Sequence, residues 1–230
     1  MSELPTTPVL QATGVRKSFG QTQALRGVDV TINPGEVLAV MGPSGSGKST
    51  LLHCLAGVLV PDEGEVVCDG RPVSTLGERD RSRLRLDTFG FVFQFGQLLP
   101  DLTAADNVAL PLLLAGTKRT DAVRRARTWL DRFGLADKAG QVPGTMSGGE
   151  AQRVAIARAM VTEPRVLFAD EPTGSLDSLA AEQVLTAMLE QVRLCGTTVV
   201  LITHDPRTAS YADREIIVRD GRISGAGVAA

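Results

Sequence analysis

The residues with the plainest chemistry form the run GPSGSGKST, that is Gly42, Pro43, Ser44, Gly45, Ser46, Gly47, Lys48, Ser49 and Thr50. It fits the spacing G-x-x-x-x-G-K-[ST], follows the apolar run EVLAVM and leads into the helical pattern KSTLLHCLAG. Between a strand and a helix such a run is a phosphate cradle. Its glycines let backbone N–H groups close around phosphate oxygens, Lys48 sets an ammonium against β and γ phosphates, and the Ser49 hydroxyl can ligate Mg2+. A Gly/Ser-rich surface turn is the bland alternative, which the flanking strand and helix disfavour. Hydrolysis needs a further group near the γ phosphate. VLFADEP supplies Asp170 at a strand end, where one carboxylate can hold Mg2+, and Glu171 beside it to orient an attacking water. An acidic strand end that caps the next helix is the competing reading.

A second anion-binding pattern lies far downstream. In TMSGGEAQR, residues 145–153, Ser147, Gly148 and Gly149 run into an apolar-periodic segment, the form of a helix start with free N–H groups. Two phosphate-binding patterns in one small domain call for an explanation. Gln94 closes the aromatic strand FGFVF, and alone it reads as an ordinary strand-end glutamine as readily as a ligand. His204 in VLITHDP also ends an apolar run, where a histidine can equally be a satisfied core residue, and His53, inside the pattern after the phosphate loop, reads as one.

The elements that must position these groups are legible as short β-rich runs at 28–32, 36–41, 65–68, 89–93, 165–169, 198–202 and 215–218. EVLAVM, RVLFAD and TTVVLIT are almost continuously apolar, as strands covered on both faces of a mainly parallel sheet are. The fold class is α/β. Between 103 and 140 the pattern turns helical, with Val123, Ala126, Leu130 and Phe133 on one face and Arg124, Arg125, Arg127 and Arg132 mostly elsewhere. With 230 residues and no repeats or long linkers, the chain fits one large α/β domain with a small helical appendage.

Charge and cysteine usage narrow the classes further. Lys plus Arg number 24 against 26 Asp plus Glu, a net charge of -2, which gives no reason to expect nucleic acid. Three widely spaced cysteines, Cys54, Cys68 and Cys195, suit reduced cytosolic thiols better than disulfides or zinc. The N-terminal MSELPTTPVL lacks the features of a secretory leader, and the greasiest run, 108–115, is short and interrupted by Pro111.

Taken in order, the motifs resemble those of ABC transporter ATP-binding subunits over nearly the whole chain. GPSGSGKST is similar to the family's Walker A loop, Gln94 to its Q-loop, MSGGE to its signature, VLFADEP to its Walker B, SLD ending at Asp177 to its D-loop, and His204 to its switch histidine. The resemblance implies a P-loop NTPase fold in a single domain, 1–230. A mainly parallel core sheet flanked by helices and an antiparallel β part would occupy 1–93 and 164–230, and a helical signature subdomain 94–163. It implies ATP and Mg2+ as cofactors, with Phe19 stacking on adenine, Gln94 helping hold Mg2+ and sensing the γ phosphate, and His204 contacting that phosphate. The signature departs from L-S-G-G-Q at Met146 and Glu150 but keeps Ser147, Gly148 and Gly149.

The family also explains the two phosphate patterns: in a head-to-tail homodimer the signature of one copy covers the ATP on the other's phosphate loop. FQFGQLLPDLTAADNVALPLLLAG is similar to ATPases of the lipoprotein-releasing, macrolide-exporting, bacitracin-resistance and cell-division subgroup, with Asp106 where many of them have Glu. The apolar run 95–99, from Phe95 to Leu99, would then dock an integral-membrane permease, unless it is core packing. Arg79, Arg81, Arg83 and Arg85, interleaved with Glu78, Asp80 and Asp87, read as a solvated face. The implied function is an ATPase powering a transporter or mechanotransmission complex from the cytoplasmic face of the membrane. A soluble ABC-type ATPase acting on DNA or ribosomes is the alternative, and it would carry tandem halves, a coiled-coil insertion or a basic face. A P-loop kinase or GTPase lacks a use for MSGGE.

Overall fold

Valine-rich runs become strands, and the segments between them become helices. The computed structural model describes residues 7–228, with side chains described to residue 224; residues 1–6, read above as free of a leader, lie outside it. In chain order the elements are β1 (Leu10–Phe19), β2 (Thr22–Ile32), β3 (Val37–Met41), α1 (Lys48–Leu55), β4 (Glu63–Cys68), β5 (Arg71–Pro72), α2 (Glu78–Thr88), β6 (Phe89–Phe93), α3 (Ala104–Leu114), α4 (Arg119–Arg132), α5 (Gly148–Met160), β7 (Val166–Asp170), α6 (Ser178–Cys195), β8 (Thr198–Ile202), α7 (Pro206–Ala209), β9 (Arg214–Arg219) and β10 (Arg222–Val228). All seven expected strands are present, and β1, β5 and β10 were not anticipated. Gly14, at φ +59, and a register shift between Ala12 and Val15 break the alternation of β1. Glycines thin the apolar pattern of β10.

By contact density the chain divides into one unit of residues 1–85 and 198–230 and another of 86–197. In the first, an antiparallel sheet runs β2-β1-β4-β5, and β3 lies parallel to both β8 and β9, with β10 antiparallel on β9. Leu38, Ala39, Val199, Val200 and Leu201 are wholly buried, which is what nearly continuous apolar strands predict. In the second, β6 pairs parallel with β7. Phe168 meets Phe89 edge-on at 5.2 Å and stacks with Phe91 at 5.6 Å. Within the second unit α5 packs on β6 as well as on α3, α4 and α6. Among the described residues no helix is long and apolar enough to cross a membrane.

On α4 three of the four expected inward residues, Ala126, Leu130 and the C-cap Phe133, are buried. Ala122, Ala126, Trp129 and Leu130 are buried, whereas Val123 is only half-buried. Arg132 covers the Trp129 ring at 4.5 Å, and Arg125 donates to the Val161 carbonyl at 3.0 Å, so two of that helix's arginines cover the core instead of facing away.

Candidate active site

In the first unit the phosphate loop leaves the carboxyl end of β3. Val40 lies opposite Ile202 of β8, so Gly42 and His204 emerge from the same edge of the parallel strands, where α/β sheets bind ligands. Two glycines are required by close approach. A Cβ at Gly42, φ +143, would lie 2.1 Å from the Val218 carbonyl oxygen, and one at Gly47, φ +107, 2.4 Å from that of Ala24. Gly47 is also the N-cap of α1. Lys48 is buried, and its ammonium donates to the carbonyls of Gly42 and Pro43, each at 2.8 Å. Pro43, Ser44, Gly45 and Ser49 are exposed, Thr50 is half-buried, and the buried Ser46 hydroxyl has no hydrogen-bond partner. Beside the loop a cavity of about 320 Å³ is lined by Thr22, Gln23, Lys48, Ser49, Asp220 and Gly221, which is within the range of small-ligand sites.

Phe19 ends β1 and is 51% exposed, with the Lys17 ammonium 6.0 Å from its ring centre. Asp62 fixes this strand end, accepting from Lys17 and from the Ser18 N–H at 2.7 Å each. These donors hold its carboxyl below the usual range, Lys17 more than Ser18. His204 is exposed, not a core residue, in a turn closed by the Asp205 N–H on the Thr203 hydroxyl at 3.1 Å. His53 is half-buried, so the expectation of a core histidine also fails: its position in the last turn of α1 leaves one side open.

In the second unit Phe93 of β6 lies opposite Asp170 of β7, which sets Gln94 and Glu171 side by side just past the strand ends. They converge on Gly174: a Cβ there would lie 3.0 Å from Gln94 Nε2 and 3.3 Å from Glu171 Oε2. The Gly174 N–H donates to the Glu171 carbonyl at 3.0 Å, and Glu171 holds φ +47. A left-handed glutamate costs roughly 1–3 kcal/mol and persists only where the surroundings demand it, most often at functional sites. The Ser175 hydroxyl anchors the Gln94 carbonyl at 2.8 Å. Asp170 and Glu171 are both half-buried. Capping of the next helix falls instead to Asp177, whose carboxylate accepts from the Ala180 N–H at 2.9 Å at the start of α6.

The second phosphate pattern is a capped helix start. Ser147 is the N-cap of α5, its hydroxyl accepting from the Glu150 N–H at 3.3 Å while the Glu150 carboxylate accepts from the Ser147 N–H at 2.8 Å. This reciprocal capping box gives Glu150 a local purpose that a glutamine would also serve. The Ser147 N–H bond is the main reason the Glu150 carboxyl lies below its usual range. Ser147 and Gly148 are exposed, whereas Gly149 is buried and lies close to Ala180 and Val184 of α6.

Mg2+ can be judged by donor chemistry. Among the described residues no group of three or more His, Cys, Asp and Glu side chains forms a metal cluster. Within the second unit Gln94 and Asp170, and within the first Ser49, carry hard oxygens, the donor type that Mg2+ takes alongside water and substrate phosphates.

Several residues escaped the sequence reading. Gly174 sits between Gln94 and Glu171, and Asp220-Gly221 is a recognisable hairpin turn whose Gly221 N–H donates to the Ser46 carbonyl at 3.0 Å and braces the phosphate loop. The run 95–99 is not core: Phe95 is 76% and Leu99 43% exposed. The arginines of α2 are not all solvated either. Arg81 and Arg85 both pair with Glu78 and donate to the carbonyls of Leu76 and Gly57, and the two guanidiniums hold Glu78 at about 2. Cys54 and Cys68 are buried, Cys195 is exposed, and none of the three forms a disulfide. Burial pushes the Cys54 thiol up to about 11, so it is unreactive.

Residues 25–174 match the family described as ABC transporter. The chain is 46% identical over 220 residues to the lipoprotein-releasing system ATP-binding protein LolD 2 of Caulobacter vibrioides, spanning 94% of this chain and 96% of that one. It is 45% identical to the macrolide export ATP-binding/permease protein MacB 1/2 of Paracoccus denitrificans, spanning 94% of this chain but 33% of the other. Among solved structures it is similar to the dimeric ATP-binding cassette MJ0796 in a post-hydrolysis state bound to ADP and Pi, with TM-score 0.87, 36% identity, and coverage of 96% of this chain and 99% of that one.

Proposed function

Given that the chain belongs to the ABC transporter family, whose ATP-binding and ATP-hydrolysing part it supplies, we propose that two copies close head to tail on ATP and so drive a membrane permease. Lys48 is the cation for the β and γ phosphates, the glycine-shaped loop from Gly42 to Thr50 is their backbone cradle, and Phe19 is the adenine platform. Ser49, Gln94 and Asp170 are the oxygen donors for Mg2+, which when bound neutralises charge on the transferred phosphoryl group. Glu171 orients and deprotonates the attacking water, Gln94 and His204 sense the γ phosphate, and Asp177 belongs to the loop that adjoins the partner copy. Ser147, Gly148 and Gly149 serve the ATP held by that copy, bringing the positive end of α5 to its γ phosphate.

The observation that carries the reading is the convergence of Gln94 and Glu171 on Gly174, past the ends of two parallel strands. It supports reading Glu171 as the general base and Gln94, next in sequence to the exposed Phe95, as the γ-phosphate sensor. The MacB relative is named as both ATP-binding and permease protein, and this chain matches a third of it. That supports a permease as the partner here, with Phe95 and Leu99 as the docking surface and the inner face of the membrane as the place of work.

Phe95→Asp tests this in cells. Phe95 is 76% exposed, so the variant folds and hydrolyses ATP at its basal rate, but it no longer co-purifies with an integral-membrane chain from detergent-solubilised membranes. Loss of folding would return the run to core packing. Undiminished co-purification would remove it from the docking surface.

A further inference from the structure

The loop that carries Phe95 and Leu99 is held by the same helix, α5, whose N-cap is the signature serine Ser147. Arg158, near the end of α5, donates to two successive carbonyls, Nη2 to Gly96 at 2.7 Å and Nη1 to Gln97 at 2.8 Å. Six residues earlier on that helix, Gln152 Nε2 donates to the Phe93 carbonyl at 3.0 Å. The turn between is tight and strained. Gln97 holds φ +48 and its N–H reaches back to the Phe95 carbonyl at 2.7 Å, while a Cβ at Gly96 would lie 3.2 Å from Gln152 Oε1 and 3.4 Å from Ala155 Cβ. Beyond the turn the fully buried Asn107 of α3 takes over, accepting from the Leu99 N–H at 2.8 Å and donating to the carbonyls of Leu99, Leu102 and Thr103.

A guanidinium suits this task as an ammonium does not. Its planar fork reaches two oxygens at once in a fixed orientation, so the pair of carbonyls is fixed in direction as well as distance. Burial makes the Arg158 charge costly, and that cost is offset only while both carbonyls face it.

We propose that Arg158 is the positioning residue that makes the loop 95–99 and the Ser147 end of α5 move as one piece, so that engagement of the signature is felt at the permease-docking surface and the reverse. The inference rests on the docking role given to that loop and adds how its state is transmitted. A hydrogen bond to a charged group contributes about 1.5–3 kcal/mol. Losing one of the pair therefore raises the opening equilibrium of the turn, and with it amide exchange, on the order of tenfold to a hundredfold.

The test is hydrogen–deuterium exchange on the full chain at residues 93–99, with and without a non-hydrolysable ATP analogue and Mg2+, for the unmodified chain, Arg158→Gln and Arg158→Lys. Light scattering follows dimer formation in the same samples. The unmodified chain exchanges more slowly in this loop when nucleotide closes the dimer. Arg158→Gln binds the analogue with unchanged affinity and still dimerises, but its loop exchanges fast in both states. Arg158→Lys, which keeps the charge without the fork, shows the same loss in milder form and serves if the glutamine variant does not fold. Nucleotide-dependent slowing that survives in both variants would overturn the proposal, as would an unmodified dimer whose loop does not respond. A chain that binds the analogue without dimerising would overturn the shared-site reading, and the proposal with it, and is recognised separately by light scattering.

Discussion

Glu171→Gln in the full chain loses roughly 10²–10⁴ of its ATP turnover while still binding ATP, because the amide keeps the shape of the side chain but cannot take a proton from water. The surroundings make this a clean substitution. Glu171 is held at φ +47 by a turn that closes through backbone atoms, the Gly174 N–H on its own carbonyl, so the backbone is indifferent to the change from carboxylate to amide. With hydrolysis slowed, the ATP-bound dimer outlives a sizing run, and light scattering in ATP and Mg2+ reports twice the chain mass. A variant that remains monomeric and turns over ATP at the normal rate would take the role of base away from Glu171.

Lys48→Ala weakens ATP binding on the order of tenfold to a hundredfold, the loss expected when one charge-assisted hydrogen bond of about 1.5–3 kcal/mol is removed. The fold should tolerate it. Among the described residues the ammonium donates to the carbonyls of Gly42 and Pro43, and both belong to a loop whose path is set independently by glycines pressed against Val218 and Ala24. Titration with a fluorescent ATP analogue measures the affinity, and a melting curve in the absence of nucleotide checks that the loop survives. Normal affinity in the variant would mean that the loop does not bind triphosphate in the manner described.

What the sequence made legible is what short-range spacing encodes. GPSGSGKST, VLFADEP and MSGGE each carry their chemistry within ten residues, and the apolar runs beside them named seven strands in advance. The reasons behind several of those residues are long-range and stayed hidden. Gly42 must be glycine because of the Val218 carbonyl, and Gly47 because of that of Ala24, neither of which a local motif can show. Gln94 read equally well as a strand end until Gly174 and Glu171 closed around it. Phe95 and Leu99 fitted a docking surface or core packing equally by composition; they are exposed, and Arg158 and Asn107 bond the backbone of their loop from two other helices, contacts that no local pattern shows. In α4 the helical period was right for Ala126, Leu130 and Phe133, but the buried face also takes in Ala122 and Trp129, and Val123 is only half-buried. His53 and Gly149 show the same limit: burial is decided by what packs opposite, as Ala180 and Val184 do for Gly149.

The claim on which the rest depends is that each ATP is held by the phosphate loop of one copy and the signature of the other. Co-expression of two differently tagged chains, Lys48→Ala and Ser147→Arg, tests it most directly, by single-turnover hydrolysis in purified mixed dimers. Each variant by itself is inactive, the first for want of the phosphate-loop cation and the second because a bulky cation replaces the N-cap of α5. With shared sites the mixed dimer has one site with both lesions and one with neither, so it retains and hydrolyses one ATP per dimer. Mixed dimers that form but neither retain nor hydrolyse ATP above the level of the separate variants would contradict it, and would mean that Ser147 acts within its own chain.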